Sequence, residues 1–122
     1  MVNLMTIKKS IAITLFSIGL TFAVQSGATN LGPVISQGYE IVLSNFQAPA
    51  TANGGVTFQE CDECERMTVR VTSETVYKVN GRPVRLEDFR KAIASVRDRD
   101  EVALTVLHHL ESNTIEMIDV LL

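Results

Sequence analysis

The chain has 122 residues, 46% of them hydrophobic, and a formal net charge of −3, which suits one small domain. From Thr29 onward it carries nine basic and fourteen acidic residues, a net charge of −5. Nucleic-acid binding needs a clustered positive surface, but the five arginines between positions 82 and 99 are interleaved with acidic residues. The composition therefore argues against a nucleic-acid partner.

The N-terminus has the three-part layout of a secretory signal peptide. Lys8 and Lys9 precede an uncharged apolar run over residues 11–24, and small residues at positions 26–28 suit cleavage before Thr29. The run is shorter than the roughly 20 residues that span a bilayer. We therefore favour a cleaved signal peptide over residues 1–28, with an uncleaved inner-membrane anchor as the alternative. Both predict export to the periplasm, with membrane contact only through this segment if it is retained.

Residues 29–60 have the composition of a flexible linker. They contain Pro49, the pair Gly54 and Gly55, and no charged residue between positions 40 and 60, so they offer little to bury. Apolar residues alternate around Tyr39, which leaves a short strand or a loose docked helix open there.

The compact domain is predicted over residues 66–122, beginning with two strands. Apolar and polar residues alternate over residues 67–72 and again over 76–79, the period of half-buried strands. Ser73-Glu74 between them predicts a tight hairpin. Three turn residues follow the second strand: Asn80, Gly81 and Pro83. The first two tolerate positive φ, and the proline prevents a helix from starting earlier.

The apolar spacing then changes to that of an amphipathic helix. Its apolar face comprises Leu86, Phe89, Ile93 and Val96. Residues 101–107 are apolar on both faces and predict a central strand. Asn113 with Glu116 three residues later predicts the capped start of a final helix. The order ββαβα predicts an α+β fold with its helices packed on one face of a short sheet.

The stretches "TVRV", "VYKVNGRPV", "EDFRKAI", "EVALTV" and "NTIEMIDVLL" resemble, in order and spacing, the periplasmic domain of the ExbD/TolR family of biopolymer-transport proteins. The resemblance covers residues 68–122. It implies a non-enzymatic accessory domain that works through protein contacts, either with an envelope protein or with a second copy as a homodimer. The acidic residue of the family's membrane segment has no counterpart, since residues 1–24 contain no Asp or Glu.

Such contacts are predicted along an exposed sheet edge, because unpaired strands bind other strands. The residues expected to line this edge are Val69, Val71, Tyr77 and Val79.

The segment "YKVNGRPVRLEDFRKAI" followed by "EVALTV" also resembles the second half of a PDZ domain. That resemblance implies recognition of a peptide C-terminus by strand addition. It requires a Gly-rich carboxylate-binding loop and further strands upstream, so a domain boundary well before Met67 would support it.

Cys61 and Cys64 have C-x-x-C spacing and predict a local disulfide in an oxidising compartment. Their acidic neighbours disfavour the thiolate that redox catalysis needs. His108 or His109 could join the cysteines around zinc, but adjacent strand residues point to opposite faces. A small redox or metal-handling protein is therefore the alternative function. No catalytic motif is present in the sequence, and we expect no enzyme activity, no cofactor and no metal.

Overall fold

The structure, a computed structural model, describes residues 32–122. The predicted signal peptide or anchor lies outside the described residues. The described part contains one α-helix, two short 3-10 turns and eight strands that belong to one sheet. It has no helix of the length and hydropathy needed to cross a bilayer. The α+β class is confirmed, with much more sheet than the sequence predicted.

The strands are β1 Ser36–Val42, β2 Phe46–Gln47, β3 Gly55–Phe58, β4 Met67–Arg70, β5 Val76–Val79, β6 Arg82–Val84, β7 Ala103–His109 and β8 Thr114–Val120. The helix, α1, covers Leu86–Ala94, and the 3-10 turns cover Leu43–Asn45 and Arg99–Glu101. The sheet order is β1-β7-β8-β4-β3-β2, with β5 beside β8 and β6 beside β5. β4 and β5 run parallel to β8, and the other pairs are antiparallel.

The predicted linker, residues 29–60, is wrong over much of its length, because it contains β1, β2 and β3. Strand is also the correct alternative around Tyr39. Val56 and Phe58 are almost completely buried, so a few large apolar side chains suffice to fix β3 against β4. Low charge in this stretch is therefore not a sign of flexibility.

The predicted hairpin at Ser73-Glu74 is also wrong. β4 and β5 do not pair with each other. Arg70 pairs with Thr114, and Val76 pairs with Met117. The five residues between Arg70 and Val76 therefore lie opposite only two residues of β8. They form a bulged connection between two strands that share one edge of β8.

The predicted final helix is wrong as well, because residues 114–120 form strand β8. β8 lies between β7 on one side and both β4 and β5 on the other. Among the described residues α1 is the only α-helix, so the predicted pair of helices on one face is not observed.

The helix predicted from Leu86 is confirmed as α1. It buries Phe89 and Ile93, and the ring of Phe89 contacts those of Tyr77 and Phe46 at centroid distances of 5.4 and 6.3 Å. Glu87 and Asp88 lie in its first turn, where the helix dipole favours negative charge. The helix thus packs on the buried face of the sheet and completes the core there.

Candidate functional site

The residues predicted to line an exposed partner-binding edge belong to the core. Val69, Val71 and Tyr77 are 5%, 1% and 5% exposed, and Val79 is partly buried against the same cluster. Alternate strand residues point to one face, and for β4 and β5 that face is inward. These four side chains are therefore not available to a partner, and this prediction is wrong.

β1 is the long strand with a free edge. It pairs with β7 along seven residues and has no strand on its other side within residues 32–122. The backbone N–H of Leu43 donates to Val102 O, and that of Leu110 donates to Ile35 O. In an antiparallel pair, successive residues direct their N–H and C=O groups alternately towards the partner strand and away from it. The two bonds show that Ile35 and Leu43, and therefore every second residue between them, face the β7 side. The free edge of β1 therefore presents the N–H and C=O groups of Ser36, Gly38, Glu40 and Val42.

The β1 edge has little of the protection that edge strands usually carry. Proteins commonly block an edge with proline, lysine or a bulge. β1 contains no proline and no lysine, and Glu40 is its one charged residue. The irregularity in pairing lies between β7 and β8, not on β1. As far as residues 32–122 are concerned, the β1 edge is thus open to another strand.

The sheet surface beside this edge carries an apolar row. Gly38 pairs with Leu107, Leu107 with Met117, and Met117 with Val76. All four lie on the face opposite the core, where Val76 is 40% exposed and Leu107 and Met117 are partly exposed. A strand added at β1 would extend this apolar row by one position.

A polar cleft lies on the same outer face at β3 and β4, which β7 and β8 separate from β1. It has a volume of about 630 Å³. Its lining residues are Asn53, Gly54, Gly55, Thr68, Arg70, Ser112 and Asn113. Arg70 is the one charged residue in this lining, and its side chain makes no hydrogen bond or ion pair within the described part of the chain.

His108 contacts the side chain of Asn113, a residue that borders this cleft. Its Nε2 lies 2.8 Å from Asn113 Oδ1, and since an amide oxygen can only accept, Nε2 carries the proton. Nδ1 of His108 is then an acceptor, and it is buried without a partner. The histidine stacks on Tyr39 at a centroid distance of 6.4 Å.

Three residues at or next to the β7–β8 turn, Ser112, His109 and Glu116, are of the types found in a hydrolase triad. Ser112 Oγ lies 3.0 Å from His109 Nδ1, and His109 Nε2 lies 3.9 Å from Glu116. However, Nδ1 also accepts the backbone N–H of Ser112 at 3.2 Å, and Ser112 Oγ lies 2.7 Å from Thr114 Oγ1. The separation from Glu116 is too long for a hydrogen bond. We assign these contacts to stabilisation of the turn.

Cys61 and Cys64 form a disulfide at the tip of the β3–β4 hairpin. The tip is held by Asn45, which donates to Asp62 Oδ1 at 3.2 Å, and by Gln59, which donates to Cys61 O at 3.0 Å. The predicted disulfide is thus confirmed. Neither His108 nor His109 joins the two cysteines, and the described residues contain no cluster of three candidate metal ligands.

The predicted turn residues occupy a tight β5–β6 hairpin. Asn80 and Gly81 have φ values of 51° and 79°, the signs required by a type I′ turn. Val79 pairs with Arg82, and Pro83 lies within β6 opposite Lys78. The side chain of Asn80 accepts the Leu122 N–H at 2.7 Å. The turn therefore also anchors the chain that follows β8.

Comparison with protein families, curated proteins and solved structures yields no match to this chain. Its function is therefore inferred from the sequence and the site geometry alone.

Proposed function

We propose that the chain is an exported, non-enzymatic domain that binds an extended segment of an envelope protein, or of a second copy, by strand addition at β1. The free edge of β1 carries this proposal. Its four free backbone positions offer donors and acceptors in the pattern that an added strand requires. Export is inferred from the N-terminal sequence and agrees with a disulfide, since disulfides persist mainly in oxidising compartments.

The proposal keeps the protein-contact role that the ExbD/TolR resemblance implies but moves the contact to β1. The stretch "NTIEMIDVLL", compared with a helix of that family, forms a strand here. The resemblance now rests on the segment from β4 to β7.

A PDZ-like peptide-binding module is the second candidate. The observation that favours it is the start of the folded unit at β1, well before Met67. Both candidates predict recognition of an extended segment by backbone hydrogen bonds. They differ in whether a free C-terminal carboxylate is required.

Replacing Gly38 tests the β1 edge directly. Gly38→Pro removes an N–H that points away from β7, so we expect the fold to persist, because proline is tolerated on edge strands in this position. Gly38→Ala is the matched control, since an added Cβ at Gly38 has no atom within 4 Å. A photo-crosslinker at Gln37 in the full chain, expressed in its host, reports the contact.

We expect Gly38→Ala to give the same crosslinked partner or dimer as the wild type, and Gly38→Pro to abolish it. Thermal unfolding of both variants checks that the fold is retained. Equal crosslinking in the two variants would contradict strand addition at β1. Absence of any crosslink in the wild type would contradict the proposed function itself.

A further inference from the structure

We propose that the polar cleft around Arg70 is a carboxylate-binding site. This inference goes beyond the proposed function, because the cleft lies on β4 and two loops and needs no strand addition at β1. The cleft is open to solvent and is bordered by residues 53–55 on one side and by the β7–β8 turn on the other.

The charge of the cleft favours an anion. The chain carries more acidic than basic residues, yet Arg70 is the one charged residue among those lining the cleft. Its guanidinium has no ion-pair partner within residues 32–122. A guanidinium presents parallel N–H donors that match a carboxylate in bidentate geometry. Arg70 therefore supplies both the charge and the shape for this ligand.

The amide of Asn113 supplies a neutral donor. Because Asn113 Oδ1 accepts from His108 Nε2 at 2.8 Å, the Nδ2 group is left as the free end of the amide. His108 is 9% exposed, and its Nδ1 is buried without a partner. A buried acceptor without a partner lowers the stability of the fold. We therefore do not expect a histidine at this position unless it has a role. We assign His108 as a positioning residue that fixes Asn113 for the ligand.

Gly55 keeps the floor of the cleft free of side chains. It pairs with Arg70 across β3 and β4, and a Cβ at this position would lie 3.3 Å from Thr68 Cγ2. A side chain here would press on Thr68, which also lines the cleft. Glycine at this position avoids that contact.

A carboxylate fits this donor set better than a phosphate. A single guanidinium and one neutral amide match one negative charge, whereas phosphate sites usually gather several cationic or backbone donors. The carboxylate could come from a peptide C-terminus or from a small organic acid. Both present the same planar group, and titration with one probe of each kind separates them.

The test is a titration of the ¹⁵N-labelled full chain with three probes. These are acetyl-trialanine with a free C-terminus, the same peptide as its C-terminal amide, and succinate. We expect saturable shifts of the Gly54 and Gly55 amides, the Asn113 side chain and the Arg70 Nε with at least one free carboxylate. Binding by succinate would indicate a small organic acid, and binding by the peptide acid alone would indicate a peptide C-terminus.

Three variants locate the site. Arg70→Gln should weaken binding at least about tenfold, since charge-assisted hydrogen bonds are lost. Arg82→Gln is the matched control, because Arg82 is an exposed arginine on β6, and should bind like the wild type. His108→Phe should weaken binding about three- to tenfold through the freed Asn113 amide, without lowering thermal stability.

The carboxylate site is overturned if none of the probes saturates below about 10 mM, a very weak affinity. It is also overturned if the peptide amide binds as tightly as the acid, if inorganic phosphate, titrated in the same way, binds more tightly than every carboxylate, or if Arg70→Gln and Arg82→Gln behave alike. None of these outcomes depends on the β1 edge, so they are distinct from a failure of strand addition.

Discussion

Thr75 holds the bulged connection between β4 and β5 in place. Its hydroxyl donates to Ile115 O at 2.7 Å and accepts from Thr72 N–H at 3.0 Å, and the residue is buried. Thr75→Val keeps the shape but leaves both backbone groups without partners. We expect a loss of about 1–3 kcal/mol in the free energy of unfolding, measured by urea denaturation. Thr75→Ser, which keeps the hydroxyl, should lose clearly less. A Val variant as stable as the Ser variant would contradict this role.

Tyr77 places a phenol in the core without a hydrogen-bond partner. Burial raises its pKa above the ordinary value of 10.0. The unfolded chain therefore ionises first, and stability that is intact below pH 10 falls as the pH rises toward the folded pKa. Tyr77→Phe should be within about 0.5 kcal/mol of wild type at pH 7, or more stable, and should lose less stability between pH 9 and about 11. Identical alkaline losses in thermal melts would exclude Tyr77 as their source.

At the scale of the elements, the β5–β6 turn depends on its residue types. Gly81 has a φ of 79° and donates its N–H to Asp119 Oδ1 at 3.1 Å. Gly81→Ala should cost about 1–2 kcal/mol, because an alanine in left-handed geometry is strained. Gly38→Ala is the comparison, since Gly38 lies in extended backbone with open space around it. Denaturation midpoints that shift equally in the two variants would be inconsistent with this explanation.

The sequence predicts α1 and the Asn80-Gly81 turn well because their signals are local. Helical spacing from Leu86 to Ile93 and acidic residues in the first turn all favour the same structure. Asn-Gly has few alternatives to a turn with positive φ. No distant residue is needed to decide either element.

The sequence predicts a helix in place of β8 because a bulge gives the buried residues of this strand the spacing of a helix. Ile115 and Ile118 are three residues apart, and both are buried. The pairing shifts at Glu116, since Leu107 pairs with Met117 but His108 pairs with Ile115. One extra residue puts Ile115 and Ile118 on the same face of a strand. Asn113, expected to cap a helix, instead has a φ of 53° in the preceding turn.

The candidate sites could not be predicted, because they depend on strand register. Arg70 and Asn113 are 43 positions apart in the sequence and line one cleft only because Arg70 pairs with Thr114. Likewise, the inward direction of Val69 and Tyr77 follows from the face that the sheet buries. Alternation shows that a strand has two faces but not which of them meets solvent.

At the scale of the whole molecule, residues 66–122 are not a domain by themselves. Six of the sixteen buried hydrophobic residues come from the segment predicted as linker: Tyr39, Ile41, Leu43, Phe46, Val56 and Phe58. A small domain has little stability to spare. The folded unit therefore starts at β1.

The disulfide should contribute modestly to the stability of this unit. It closes a loop with a sequence separation of three, and short loops remove little entropy from the unfolded chain. Replacing Cys61 and Cys64 by serine should cost about 2 kcal/mol or less and leave crosslinking through β1 unchanged. Loss of the crosslink in a folded double variant would favour the cysteine-centred alternative function.

β8 is the latest of the eight strands in chain order, yet it has neighbours on both sides. Its pairings with β4 and β5 join residues more than 40 positions apart. Such contacts form slowly, because long loops must close first. During synthesis, β4 and β5 have no partner in β8 until the β7–β8 turn has been made. Completion of the sheet therefore has to wait for β8.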